Sequence, residues 1–211
     1  MASYEELQEL IITGQKDKVA AAVKTLLDSG KAPMDIIKEG LTAGMNVVGA
    51  KFKSGDMFIP EVMISAHAMK EGMDILKPLV VGESTSLSTK KAVIGTVEGD
   101  IHTIGKSIVA MLMESSGFEI IDLGIDIPAA KFVEAVKKEQ PEILGMSAML
   151  TTTMSRMKDV IDALKEASLR DKTRVMVGGA PITQDFADSL GADGYAPDAS
   201  SAVEKAKALI S

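Results

Sequence analysis

From residue 92 onward the chain alternates two kinds of segment, and that alternation leaves few folds open. Short apolar or β-branched runs at residues 92–97, 119–123, 143–147, 174–177 and 194–196 are each followed by a longer amphipathic stretch, near 104–116, 129–139, 154–169, 182–190 and 200–210. Runs that are apolar throughout fit strands covered on both faces, and the intervening helices supply the cover. The pattern predicts five β/α units forming an α/β domain with a doubly wound, five-stranded parallel sheet of the flavodoxin or Rossmann-like kind. In such sheets ligands sit beyond the carboxyl ends of the strands. Function is therefore expected in the loops after Val97, Ser147 and Val177.

The first part of the chain has a different grammar. Tyr4, Leu7, Leu10 and Ile11 share one stripe at helical spacing, and Val19, Val23, Leu26 and Leu27 share another. A third helix is expected after Pro33, with Ile37, Leu41, Met45, Val48 and Phe52 near one face, ending around Ser54 and Gly55. Pro60 opens a fourth, which carries Val62, Ala66, Met69, Met73 and Leu76 until Pro78 stops it. Four helices on short loops make a small N-terminal bundle. The serine-rich stretch from Gly82 to Thr89 reads as a linker and hinge. The expected organisation is a helical cap at 1–81, a linker at 82–90 and the α/β domain at 91–211.

Composition narrows the chemistry. With 46% hydrophobic residues in 211, a sizeable core can be buried. The absence of cysteine excludes disulfides, thiolate nucleophiles, iron–sulfur clusters and cysteine-bound zinc, and suits a reducing cytoplasm. Two histidines, His67 and His102, fall short of the usual protein-built zinc site. A net charge of -7 without a basic run, and aromatics at 3%, argue against nucleic acid as a partner. Glu5, Glu6 and Glu9 stand where a secretory signal would carry positive charge, and no apolar stretch is long enough to span a bilayer. A cytoplasmic protein without a membrane partner is expected.

The loop after the first strand reads Glu98-Gly99-Asp100-Ile101-His102-Thr103-Ile104-Gly105-Lys106. A neutral imidazole binds a metal through one ring nitrogen while a carboxylate orients the other N–H, and Asp100 is close enough to be that carboxylate. One histidine cannot hold a free ion, but it can supply the axial ligand missing from a metal already held in a macrocycle. In isolation the pair serves equally well as a cap on the following helix. Its weight comes from its company. Ser147-Ala148-Met149 ends the third strand and Gly178-Gly179 the fourth, with 41 residues between Gly105 and Ser147 and 28 between Met149 and Gly178.

D-x-H-x-x-G, then S-x-L, then G-G at these separations resembles the cobalamin-binding domain of methionine synthase and of the corrinoid proteins of methyltransferase systems. Asp100, His102, Gly105, Ser147, Gly178 and Gly179 match, and Met149 replaces the usual leucine with little change in volume. Thr103 stands where the family often has aspartate. In the helical half, Gly44 to Gly49 and Met57-Phe58-Ile59-Pro60 resemble the family's cap. The resemblance implies a cobalamin or related cobamide bound with its own lower base detached and His102 on the cobalt's lower face. It implies a nucleotide tail passing Gly105 and Gly178-Gly179-Ala180, and Ser147 facing the detached base. It implies a proton-carrying chain of Thr153, Asp100 and His102. By the same resemblance Gly99, Ile101, Thr103, Ile104, Met149, Leu150, Thr151, Tyr195 and Ala199 line the cofactor, and Phe58 shields the cobalt's upper face.

The implied activity is methyl carriage. Co(I) takes a methyl group from a substrate held by a specific methyltransferase, and a second methyltransferase passes it to tetrahydrofolate or coenzyme M, with a reductive activase rescuing Co(II). Methanol, methylamines, betaines and methoxylated aromatics are all compatible donors, because donor choice belongs to the partner. A cobalamin-responsive regulator would need a DNA-binding module, for which no segment remains. The cobalamin subunit of a radical mutase ordinarily lacks the helical cap. A flavodoxin-like interaction domain without cofactor is the remaining alternative.

Overall fold

A computed structural model describes residues 2–80 and 90–211. These form two compact units, divided between Val80 and Lys90 except that Ser115–Gly117 group with the first. The expected linker at 82–90 lies outside the described residues except for Lys90.

The first unit is helical throughout. Helix α1 (Tyr4–Ile12) starts at Ser3, whose Oγ accepts the Glu6 N–H at 3.2 Å. Helix α2 (Lys16–Asp28) buries Val19, Ala22, Val23 and Leu26. Pro33 takes the first position of a short helix α3 (Pro33–Asp35), which continues through a π-helical stretch (Ile36–Thr42) into α4 (Ala43–Ser54). Together they are the expected third helix, but the π turn changes its face. Ile36 rather than Ile37 is fully buried, followed by Gly40, Leu41, Gly44, Met45 and Val48. A π turn holds an extra residue, and across it Leu41 shares the buried face with Ile36, five residues earlier. Gln8 Nε2 donates to the Glu39 carbonyl of this stretch at 2.6 Å. A Cβ at Gly44 would lie 3.1 Å from the Gln8 backbone, which is the close approach that lets α1 pack there.

Gly55, in the left-handed region at φ +82°, ends α4. Helix α5 (Ile59–Val80) then buries Val62, Ala66, Met69 and Leu76 as expected. It does not stop at Pro78. The helix runs on past the proline to Val80, the last residue described before the linker, with one intrahelical hydrogen bond forgone.

The second unit carries five strands, β1 (Lys91–Thr96), β2 (Glu119–Asp122), β3 (Ile143–Ser147), β4 (Arg174–Gly178) and β5 (Gly194–Tyr195). All pair in parallel, in the order β2-β1-β3-β4-β5. Between them run α6 (Ile104–Ser115), α7 (Ala129–Glu139), α8 (Arg156–Glu166), α9 (Gln184–Leu190) and α10 (Ala199–Leu209). A buried cluster joins Val93, Leu144 and Val175 of the sheet to Phe132 of α7, Ile161 of α8 and Leu190 of α9. Ile94 and Met176, next along their strands, point to the other face and are also buried, so both faces are covered. Gly95 lets the fully buried Phe132 ring lie on β1, since a Cβ there would come within 2.8 Å of two ring atoms.

Register places the site. Thr96 is level with Ser147, and Ser147 with Gly178, so the carboxyl ends of β1, β3 and β4 finish at one height. The strand order reverses between β1 and β3, and the crevice of a doubly wound sheet opens at such a switch point.

Candidate functional site

Past β1, Val97 N–H still donates to the Ser147 carbonyl at 3.1 Å, after which the chain turns back at Gly99 with φ +81°. Asp100 N–H donates to the Val97 carbonyl, and the Asp100 side chain is driven inward until it is 0% exposed. A buried carboxylate must find donors. Oδ1 accepts the backbone N–H of His102 at 3.0 Å and lies 2.8 Å from His102 Nδ1. Oδ2 accepts the Met149 N–H and the Thr153 hydroxyl, each at 2.7 Å. The loops after β1 and β3 are thus joined on one carboxylate at the switch point.

Burial by itself pushes the Asp100 carboxyl up. The hydrogen bonds from Met149 and His102 N–H, the Thr153 hydroxyl and the His102 ring outweigh it and hold the group well below the usual carboxylate range. Asp100 is therefore an anion that can only accept. Its partner Nδ1 carries the ring proton, which leaves the lone pair on Nε2. The Thr96 hydroxyl donates to the His102 carbonyl at 2.9 Å and fixes the backbone beneath the ring. The His102 side chain is 50% exposed.

Because its folded-state value is depressed, Asp100 contributes stability that is present in full above pH ~4, the unfolded value. That contribution is lost as pH falls through the folded value. Asp100→Asn is expected to cost about 2 kcal/mol or more near pH 7, the scale of hydrogen bonds to a buried charge, and to flatten the fall in stability below pH ~4. Urea unfolding from pH 3 to 7 measures both, and parallel pH curves for the two proteins would contradict the assignment.

Around His102 the loops present apolar side chains to the surface. Ile101 is 70% and Ile104 75% exposed, while Met149 and Leu150 are 47% and 42% exposed. At Gly105, in the first turn of α6, an added Cβ would meet nothing within 4 Å. Thr103 precedes that turn, with its Oγ1 3.1 Å from the Ser107 hydroxyl. Gly178 has ordinary clearance, the nearest atom to an added Cβ being the Ala196 carbonyl at 3.6 Å. Gly179 is different. Its φ is +130° and a Cβ there would lie 1.8 Å from the Ala148 carbonyl oxygen. The protein's own β3 loop, rather than a passing cofactor tail, already forbids a side chain at this position.

Of the other expected residues, Thr151 and Ala180 are exposed on the same loops, and Ser147 ends β3 half-buried. Tyr195 packs against the buried cluster of the sheet, and Ala199 opens α10. Phe58, in the helical unit, is 69% exposed. His67 is exposed on α5, and among the described residues no three His, Asp or Glu side chains group as a metal site. Two residues of the β1 loop's support were not anticipated. Thr96 was detectable as the polar end of an apolar strand. Asp126 was detectable as a carboxylate in the Gly- and Pro-bounded turn Leu123-Gly124-Ile125-Asp126-Ile127-Pro128.

One oriented imidazole with no second protein ligand suits a metal whose other positions are filled in advance. The apolar rim and the open side of Gly105 suit a large, flat, mostly apolar ligand. The residues present therefore fit a corrinoid, and fold and site together define a corrinoid-binding domain in a chain that also carries a helical unit. Two models, both described as a B12 binding domain, match residues 90–204 and residues 3–77. The chain belongs to the family of corrinoid proteins of methyltransferase systems.

Dimethylamine corrinoid protein 1 of Methanosarcina acetivorans is 49% identical over 100% of both chains. A crystallised cobalamin-binding protein from Desulfitobacterium hafniense superposes with TM-score 0.82 at 32% identity, over 100% of both chains. The methanol:cobalamin methyltransferase complex MtaBC from Methanosarcina barkeri gives TM-score 0.85 at 36% identity, over 97% of this chain and 78% of that one. No helix among the described residues is long and apolar enough to cross a membrane.

Proposed function

We propose that this chain carries a methyl group on a cobamide between a substrate-specific methyltransferase and a second, acceptor-side methyltransferase. The cobamide is held base-off with His102 Nε2 as lower axial ligand. When bound, it supplies a cobalt centre able to accept and release a methyl group. The observation that carries this reading is the Asp100 hub, which fixes the His102 tautomer within an apolar rim at the sheet's switch point. Relatives named for corrinoid methyl transfer support it.

The chain's own residues divide the work. Asp100 orients the His102 ring through Nδ1–H and keeps Nε2 directed outward. Thr153 and the Met149 N–H hold Asp100 itself in place. Thr153, Asp100 and His102, joined by hydrogen bonds, are the chain assigned to proton transfer when Nε2 is not engaged. Ile101, Ile104, Met149 and Leu150 exclude water from this surface once it is covered. Gly105, where an added Cβ would meet nothing within 4 Å, is assigned to the passage of the nucleotide tail, and Ser147 to the detached base. The acceptor is tetrahydrofolate or coenzyme M, and a reductive activase restores adventitiously oxidised protein.

The test is uptake. The full chain mixed with cobalamin is expected to retain it through gel filtration at near-equimolar amounts and to be methylated by a methyltransferase that co-purifies with it. A colourless protein after filtration would overturn the reading. Cobalamin retained with its own dimethylbenzimidazole still on cobalt would overturn the assigned binding mode.

A further inference from the structure

The histidine loop is held from one side by Asp100. Its other support comes from a separate part of the chain, the loop from β2 to α7. Residues 124–127 of that loop run beside residues 96–100. Thr96 N–H donates to the Gly124 carbonyl and Ile127 N–H to the Thr96 carbonyl, both at 3.0 Å, and Val97 and Ile127 form a parallel bridge. At the end of this zipper stands Asp126. Its backbone N–H donates to the Asp100 carbonyl at 3.0 Å, and its Oδ1 accepts the Gly99 N–H at 2.6 Å.

One residue thus holds the Gly99-Asp100 segment on both sides. The two partners are conformationally unusual, since Gly99 has φ +81° and Asp126, which is not glycine, has φ +55°. A non-glycine residue persists in the left-handed region where its surroundings impose it, and Asn and Asp do so most readily. The orientation of the Gly99-Asp100 segment sets where the Asp100 carboxylate points, and that carboxylate sets the His102 ring. We infer that Asp126 is a positioning residue that fixes the aim of His102 Nε2 through Gly99 and Asp100. Its hydrogen bonds go to the Gly99-Asp100 backbone and not to the ring. Its relevance to cobalt rests on the function proposed above, but its effect on the imidazole does not.

Two substitutions separate the acceptor from the backbone shape. Asp126→Gly keeps the left-handed conformation and removes the acceptor, whereas Asp126→Asn keeps both the conformation and an oxygen acceptor. In the full chain without cofactor, nitrogen-15 NMR of the His102 ring reads the Nδ1–H bond to Asp100. Asp126→Gly is expected to speed exchange of that ring proton at least tenfold, and Asp126→Asn to stay within about twofold of the native chain.

With Co(II) cobalamin bound, the fraction showing a histidine nitrogen on cobalt is expected to fall several-fold in Asp126→Gly and to recover in Asp126→Asn. Native-like ring-proton exchange in Asp126→Gly would overturn the inference, as would equal losses in the two variants. A native chain that takes up no cobalamin would instead sink the function, and the ring-proton comparison would still decide the role of Asp126.

Discussion

Gly179→Ala is expected to destabilise the second unit by about 3–5 kcal/mol, combining a disfavoured backbone region with forced overpacking. The side chain has nowhere to go, because its Cβ would overlap the Ala148 carbonyl oxygen, a backbone atom that cannot rotate aside. Relief requires moving the end of β3 or of β4. Ala148 N–H donates to the Gly178 carbonyl at 3.1 Å, so either shift strains the ladder that sets the loops' height. The neighbouring Gly178→Ala is the control, since its Cβ would meet the Ala196 carbonyl at an ordinary 3.6 Å, and a cost below about 1 kcal/mol is expected at a site of this kind. Urea denaturation of the two variants checks the contrast, and similar midpoints would contradict it.

That contrast also marks how far the sequence could be read. The five β/α units follow from composition and period, and the structure places each within a few residues, α7 with both ends as expected. The alternation is legible because the central runs in β1 and β3 are apolar on both faces, while edge strand β2 keeps only Ile120 and Ile121 between Glu119 and Asp122. The π turn at Ile36–Thr42 is not legible, because its fivefold spacing appears once and a 3.6-residue template absorbs it by choosing Ile37. Pro78 reads as a stop in the sequence, yet the helix continues through it to Val80.

At the site, Asp100 and His102 are two residues apart and visible as a pair, and their reading rests on local chemistry. Thr153 reaches Asp100 across 53 residues and is identified through the family resemblance. Asp126 reaches Gly99 across 27 residues from a turn whose other features are those of any strand-to-helix connection. The Gly-Gly pair was assigned to the cofactor, but at Gly179 the constraint comes from the neighbouring loop.

The second large effect concerns the ligand itself. His102→Ala is expected to leave the fold intact, because the ring is half exposed and its loss removes one of four donors to Asp100. Thermal unfolding should move little. Cobalt coordination should change completely, since no other histidine or cysteine stands on these loops. The direct measurement is electron paramagnetic resonance of the Co(II) cobalamin complex, with the chain made from nitrogen-15 histidine. The native chain is predicted to show splitting from a single axial nitrogen that changes from the nitrogen-14 to the nitrogen-15 pattern on labelling, and His102→Ala to show none. Splitting that ignores the label, or that survives His102→Ala, would contradict the account.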